Sequence, residues 1–198
     1  MECKIITNSD EECFIEITKN TFRNRIEYDW TPDENFIGLA VACNYNFKGH
    51  PLGFLKDNGK IKSQISGNKK RAIFQIEETE TMIQAGPTLV RDFQATKNFK
   101  EEGFSSHYIL SGPHSHIGRK KNGNYILGFT SKHTFNQMIS EYLDFKVDDA
   151  IKLPGLASCC FFIRTKNKTI QQGVFPAPVV LIFESKRNKL TDIINDIP

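Results

Sequence analysis

The chain of 198 residues has no apolar run approaching the 18 residues that a helical membrane span needs, so it is not expected to cross a bilayer on helices. It also lacks a basic segment followed by a long apolar one behind Met1. No secretory leader is therefore expected, and the chain reads as cytoplasmic. There is no Cys-x-x-Cys pair. The five cysteines, Cys3, Cys13, Cys43, Cys159 and Cys160, are odd in number and have no zinc-ligand spacing with histidine, so reduced buried thiols are expected, with no metal site and no cofactor. The vicinal Cys159 and Cys160 would point to opposite faces of a strand. A strong charge excess is missing too: 26 Lys and Arg against 23 Asp and Glu leave a net charge of +3. That argues against a dedicated nucleic-acid partner and only weakly favours an anionic ligand. The basic triplets Lys69-Lys70-Arg71 and Arg119-Lys120-Lys121 read as solvated strand ends. With no internal repeat, heptad run or low-complexity linker, residues 1–198 read as a single domain.

What the sequence does contain is mostly strand pattern. Cys13, Ile15 and Ile17 alternate on one phase, Ile26, Tyr28 and Trp30 on another. Phe36 to Cys43 is apolar throughout, as expected of a central strand covered on both faces. Asp57-Asn58-Gly59 and Asn122-Gly123 supply the positive φ angles of tight hairpin turns. One segment has helical periodicity: Phe135, Met138, Ile139, Tyr142 and Leu143 form a single apolar face, and Thr134 with Gln137 fits a capping box. The expected class is α+β, a single β-rich domain with a largely antiparallel or mixed sheet and one main amphipathic helix at about 134–144. Residues 93–106 read as a polar surface excursion able to lie over a site.

Four segments bear candidate chemistry. Asn44-Tyr45-Asn46-Phe47 ends the buried strand and is followed by Pro51-Leu52-Gly53; Gln84-Ala85-Gly86-Pro87-Thr88-Leu89-Val90 turns a Gly-Pro corner; His114-Ser115-His116-Ile117-Gly118 opens a strand. In Asp149-Ala150-Ile151-Lys152-Leu153-Pro154-Gly155-Leu156-Ala157-Ser158, small residues would bring backbone amides and a hydroxyl close to a ligand. Taken in order, these segments resemble the phosphodiester glycosidase family over about residues 36–184. That family's Gln-Ala-Gly-Pro-x-Leu-Val segment stands intact at 84–90, and its Asn-Gly-Gly-aromatic-Phe, Arg-Thr-Ala-Ile-Gly and Asp-Ala-Ile-Asn-Leu-Asp-Gly-Gly-Gly-Ser segments are similar to the other three. The resemblance implies the family's fold and a pocket for a sugar phosphodiester.

The departures fall on polar residues. His114 stands at the motif arginine and Pro154 at the second motif aspartate; Tyr45, Asn46, Leu156 and Ala157 replace glycines. A guanidinium is a permanent bidentate donor to phosphate, whereas a histidine with a pKa near ~6.5 is only partly charged at neutral pH. Proline has no side chain for proton transfer. Glycoside cleavage usually uses two carboxylates about 5–9.5 Å apart, and these positions offer none. Asp57, Asp92, Asp148 and Asp149 lie at turns or strand ends and read as solvated. The expectation is a retained pocket without hydrolysis, binding or sequestering a phosphodiester-linked sugar or a nucleotide-type ligand such as a signalling nucleotide. Its contacts would come from Asn44, Tyr45, Asn46, Gln84, Gly86, His114, Ser115, His116, Arg119, Gly155 and Ser158. The alternative is an active hydrolase of glycosyl phosphodiesters with His114 and His116 as acid and base.

Overall fold

A computed structural model describes residues 1–9, 11–43, 45, 48–64, 72–96, 99–102, 104, 111–155, 159–173 and 175–186. In chain order the strands are β1 (Cys3–Asn8), β2 (Glu12–Ile17), β3 (Phe22–Trp30), β4 (Gly38–Ala42), β5 (Leu55–Asp57), β6 (Lys60–Ser63), β7 (Ile73–Ile76) and β8 (Thr81–Gln84). They continue with β9 (Thr88–Arg91), β10 (Gln94–Ala95), β11 (His114–Lys120), β12 (Tyr125–Thr130), helix α1 (Phe135–Asp144), β13 (Val147–Gly155), β14 (Phe161–Arg164), β15 (Thr169–Gln172) and β16 (Ala177–Ser185).

Three antiparallel sheets result. The largest runs β1-β2-β12-β11-β13-β9-β10, the second β15-β14-β4-β16-β3 and the third β6-β5-β8-β7. The α+β expectation is therefore corrected: the protein is mostly β. The periodic segment at 134–144 does form α1, but it is the single α-helix among the described residues, and it covers a sheet rather than defining a layer of helices. The amphipathic stripe was legible; its small share of the architecture was not.

The seven-stranded sheet has two buried faces. On one, Ile15, Ile17, Ile117, Leu127, Ile151 and Leu153 meet side chains from both other sheets, among them Val41, Phe161, Leu181, Leu55 and Ile83, in the main core. On the other, Phe14, Val90, Ile126, Val147 and Ala150 lie under Phe135, Met138, Ile139 and Tyr142 of α1. β4 is central, as its unbroken apolar run predicts, and buried at every position. Leu39 and Val41 enter the main core while Ala40 and Ala42 pack with Trp30, Phe36 and Phe162.

Local signals hold as well. Thr134 caps α1: Thr134 Oγ1 accepts from the Gln137 amide at 3.3 Å, and Gln137 Oε1 accepts from the Thr134 amide at 2.8 Å. The hairpin turns carry positive φ at Asn58 (46°), Gly59 (81°) and Gly123 (87°). All five cysteines are buried thiols. Cys159 faces the main core and Cys160 the Trp30 cluster. Burial pushes the Cys13, Cys43 and Cys159 thiols up to about 12, so they stay protonated and are poor nucleophiles at neutral pH. Among the described residues no helix is long and apolar enough to cross a membrane.

Candidate functional site

β11 lies at the centre of the seven-stranded sheet, between β12 and β13. Its alternation sorts the candidate residues: His114 and His116 lie on the face covered by α1, whereas Ser115 and Arg119 share the opposite face with Ile117. The three consecutive residues His114, Ser115 and His116 therefore cannot converge on one ligand. Ser115 instead hydrogen bonds the Cys159 thiol. Arg119 lies roughly 17 Å along the strand from His114 at ~3.3 Å per residue, where it pairs with Glu77 (2.6 Å) and Asp148 (3.7 Å).

His116 is fully buried and pairs across the sheet with Gly128. A Cβ on Gly128 would overlap the imidazole, so the ring occupies space that only glycine leaves. Gly118 does the same for Tyr142, whose ring would lie 2.6 Å from an added Cβ. The two rings so admitted meet: His116 Nδ1 is 2.7 Å from Tyr142 Oη, and Phe14 packs with its ring centroid 5.3 Å from that of His116. Desolvation, and then the charges of His114, His133 and Lys152, hold the His116 pKa well below 6.5, so the ring is neutral. A consistent chain runs from Nδ1–H to Tyr142 Oη and from the Tyr142 hydroxyl to the Ile126 carbonyl (3.4 Å). It leaves Nε2 as a buried lone pair without a hydrogen-bond partner among the described residues.

Beside His116 across the ladder lies Lys152, 3% exposed. Its Nζ donates to the Leu153 carbonyl at 3.2 Å. Burial lowers its pKa from 10.5 to about 8. His114 opens β11, paired with Thr130 on one side and with Gly155, the last residue of β13, on the other. The intact 84–90 segment docks on this end of β13: Gly86 N donates to Lys152 O (2.9 Å), and Lys152 N to Pro87 O (3.0 Å). From the stretch expected as an excursion, Glu102 and Phe104 reach this corner. Glu102 Oε2 accepts from the Thr88 amide at 3.0 Å, and a Cβ on Gly86 (φ 141°) would lie 3.0 Å from that oxygen and 3.1 Å from Phe104.

Several candidates prove to be scaffolding. The buried Gln84 accepts the Phe54 amide through Oε1 at 2.9 Å and so fixes the 51–55 segment. Tyr45 bridges Pro51 and packs against two cores. Asn44, Asn46 and Ser158 lie outside the described residues. The expectation of solvated aspartates fails for two of four. Asp57 is buried, accepting from Ile26 N (3.2 Å) and Asn58 Nδ2 (2.9 Å), because its hairpin packs on β3. Asp149 is largely buried in an ion pair with Arg91 at 3.0 Å. Sequence reasoning passed over Lys152 and Glu102. The lysine had a signal, a lone charge in the run Ala150 to Leu153; Glu102 had none, because its partner arrives through tertiary folding. A cleft of about 440 Å³ lies elsewhere, lined by Trp30, Phe36, Lys166 and the ion-paired Arg23, Arg25 and Glu184.

The intact Gly-Pro corner thus docks on the end of β13, on the strand that pairs with His114 and His116 of β11. The chain belongs to the phosphodiester glycosidase family (NAGPA), whose sequence profile matches residues 38–183. Its fold is similar to the zebrafish N-acetylglucosamine-1-phosphodiester alpha-N-acetylglucosaminidase catalytic domain auto-inhibited by its pro-peptide, with 14% identity and a TM-score of 0.65 over 89% of this chain and 77% of that one. It is also similar to a hypothetical protein from Synechocystis, with 10% identity and a TM-score of 0.64 over 91% of this chain and 61% of that one. At these identities the likeness is one of fold. No curated protein matched the sequence.

Proposed function

We propose that this phosphodiester-glycosidase-like domain binds and holds a small anionic ligand, a sugar phosphodiester or a nucleotide, where β11, β13 and the 84–90 segment meet, without cleaving it. The observation that carries this reading is Lys152: a lysine 3% exposed, paired across the ladder with a neutral His116. A buried ammonium is costly in an apolar setting and gains most from an anion brought to it. Hydrolysis of a glycosyl phosphodiester asks for two carboxylates flanking the scissile bond. Of the described carboxylates, Glu102 is the one held against the Gly-Pro corner, and it already takes the Thr88 amide proton. His116 is poorly suited to acid or base work, being fully buried with Nδ1 committed to Tyr142. Asn44, Asn46 and Ser158 are proposed as further contacts, and sequestration of an anionic signalling nucleotide is the use such a domain would serve.

Isothermal titration with glycosyl phosphodiesters, nucleotide sugars and cyclic nucleotides, with product analysis after each run, tests the proposal. One ligand class should bind with micromolar Kd, weaken at least tenfold in Lys152→Met and be recovered intact. No ligand tighter than millimolar would overturn binding. Sugar or phosphate released by the wild type and lost in His114→Ala would establish the hydrolase instead.

A further inference from the structure

Away from that site, three residues distant in sequence meet where α1 begins. Glu12 opens β2, His133 immediately precedes the cap residue Thr134, and Glu141 lies on α1. His133 Nε2 is 3.3 Å from Glu12 Oε2 and 2.8 Å from Glu141 Oε1. The ligand atoms of all three lie within 4.8 Å of one another.

We propose that Glu12, His133 and Glu141 form a binding site for a first-row divalent cation, zinc above all, with water completing the coordination. Two carboxylates approach one ring nitrogen, and a single N–H serves only one of them well. Among the described residues no lysine or arginine pairs with either glutamate, since Lys132 turns to Glu11 and Lys120 to Glu16. Glu141 Oε2 is also buried without a hydrogen-bond partner among them. The cluster thus gathers two acidic side chains, 26% and 22% exposed, around an imidazole 15% exposed. Burial and the neighbouring Glu12 push the Glu141 carboxyl up to about 8, so a divalent ion entering the cluster takes the place of the proton held there.

The dimensions suit zinc. Bonds of about 2.0–2.2 Å in tetrahedral array place neighbouring ligand atoms about 3.3 Å apart. Of the three edges, His133–Glu12 has that length, His133–Glu141 needs to open by about 0.5 Å, a side-chain adjustment, and Glu12–Glu141 lies within 4.8 Å. One imidazole and two carboxylates favour Zn²⁺ over Mg²⁺ and Ca²⁺, which prefer all-oxygen shells. Binding through Nε2 leaves the ring proton on Nδ1, which is buried without a partner among the described residues. That unmade hydrogen bond sets the expected affinity in the micromolar range. The ion would fasten β2 to the helix whose next residue, Tyr142, holds His116.

The test uses the full chain, stripped with a chelator and titrated calorimetrically with Zn²⁺. One Zn²⁺ per chain should bind with micromolar Kd. His133→Ala and Glu141→Gln should each weaken it at least tenfold, while His50→Ala binds as the wild type and Mg²⁺ and Ca²⁺ give no saturable heat. Glu141→Gln, which keeps side-chain size and removes the carboxyl group, decides the matter should His133→Ala fail to fold. Absence of stoichiometric zinc binding, or wild-type affinity in Glu141→Gln, would overturn the site.

Discussion

At the scale of single residues, an imidazole is held inside the fold by what its neighbour lacks, and a lysine is held there at a cost that depends on pH. His116 is admitted by the missing Cβ of Gly128, and overpacking such a position costs typically 1–3 kcal/mol. Gly128→Ala should lower unfolding stability by about 3 kcal/mol in urea titrations; a loss under about 0.5 kcal/mol would mean that the ring moves aside without strain. Lys152 makes a pH-dependent contribution. Its folded pKa, about 8, lies below the value of 10.5 expected in the unfolded chain. The unfolded state therefore holds more protons between those values, and stability rises with pH across that window. Below pH 8 both states are protonated and the full cost of the buried charge applies. Lys152→Met removes this dependence, so its stability relative to the wild type should fall by on the order of 3 kcal/mol between pH 7.5 and 10.5. Paired urea titrations at the two pH values measure it, and a flat difference would show that the ammonium is solvated in the folded state.

At the scale of elements, what was legible in the sequence was what neighbouring residues decide among themselves. α1 could be read because its apolar face recurs every three to four residues and its cap is completed within four, from Thr134 to Gln137. The Asn58-Gly59 and Asn122-Gly123 turns could be read because only certain residues accept their φ angles. Strand order is decided by contacts over a hundred residues apart, such as the pairing of β2 with β12, and no local pattern encodes it. The site divides in the same way. The Gln84 to Val90 segment was recognisable, but the role of Gln84 depends on the Phe54 amide thirty residues away, and that of Glu102 on the Thr88 amide fourteen residues away, a pairing that no local pattern encodes. The capping box gives a direct check: Thr134→Ala should cost about 1 kcal/mol. Thermal melts read by circular dichroism would show it, and an unchanged midpoint would mean that packing on the sheet alone holds the first turn.

At the scale of the whole molecule, the main core draws side chains from all three sheets, so none of them keeps its apolar face covered once the others separate. Unfolding should therefore be cooperative. Trp30, the sole tryptophan, sits among Phe36, Phe162 and Phe175 in the five-stranded sheet. Its fluorescence should change with the same midpoint as the far-ultraviolet dichroism of the whole chain. Two separated midpoints would mean that this sheet melts on its own.

The two-sidedness of β11 also limits how the protein can change over generations. Ile117 belongs to one core while His114 and His116 face the helix, and both sides are buried. A codon gained or lost within the strand would turn every later side chain to the wrong face, placing imidazole among aliphatic groups and isoleucine against Tyr142. A single substitution at residues 114–118 leaves that alternation in place, so side-chain identity there is far less constrained than the strand's register.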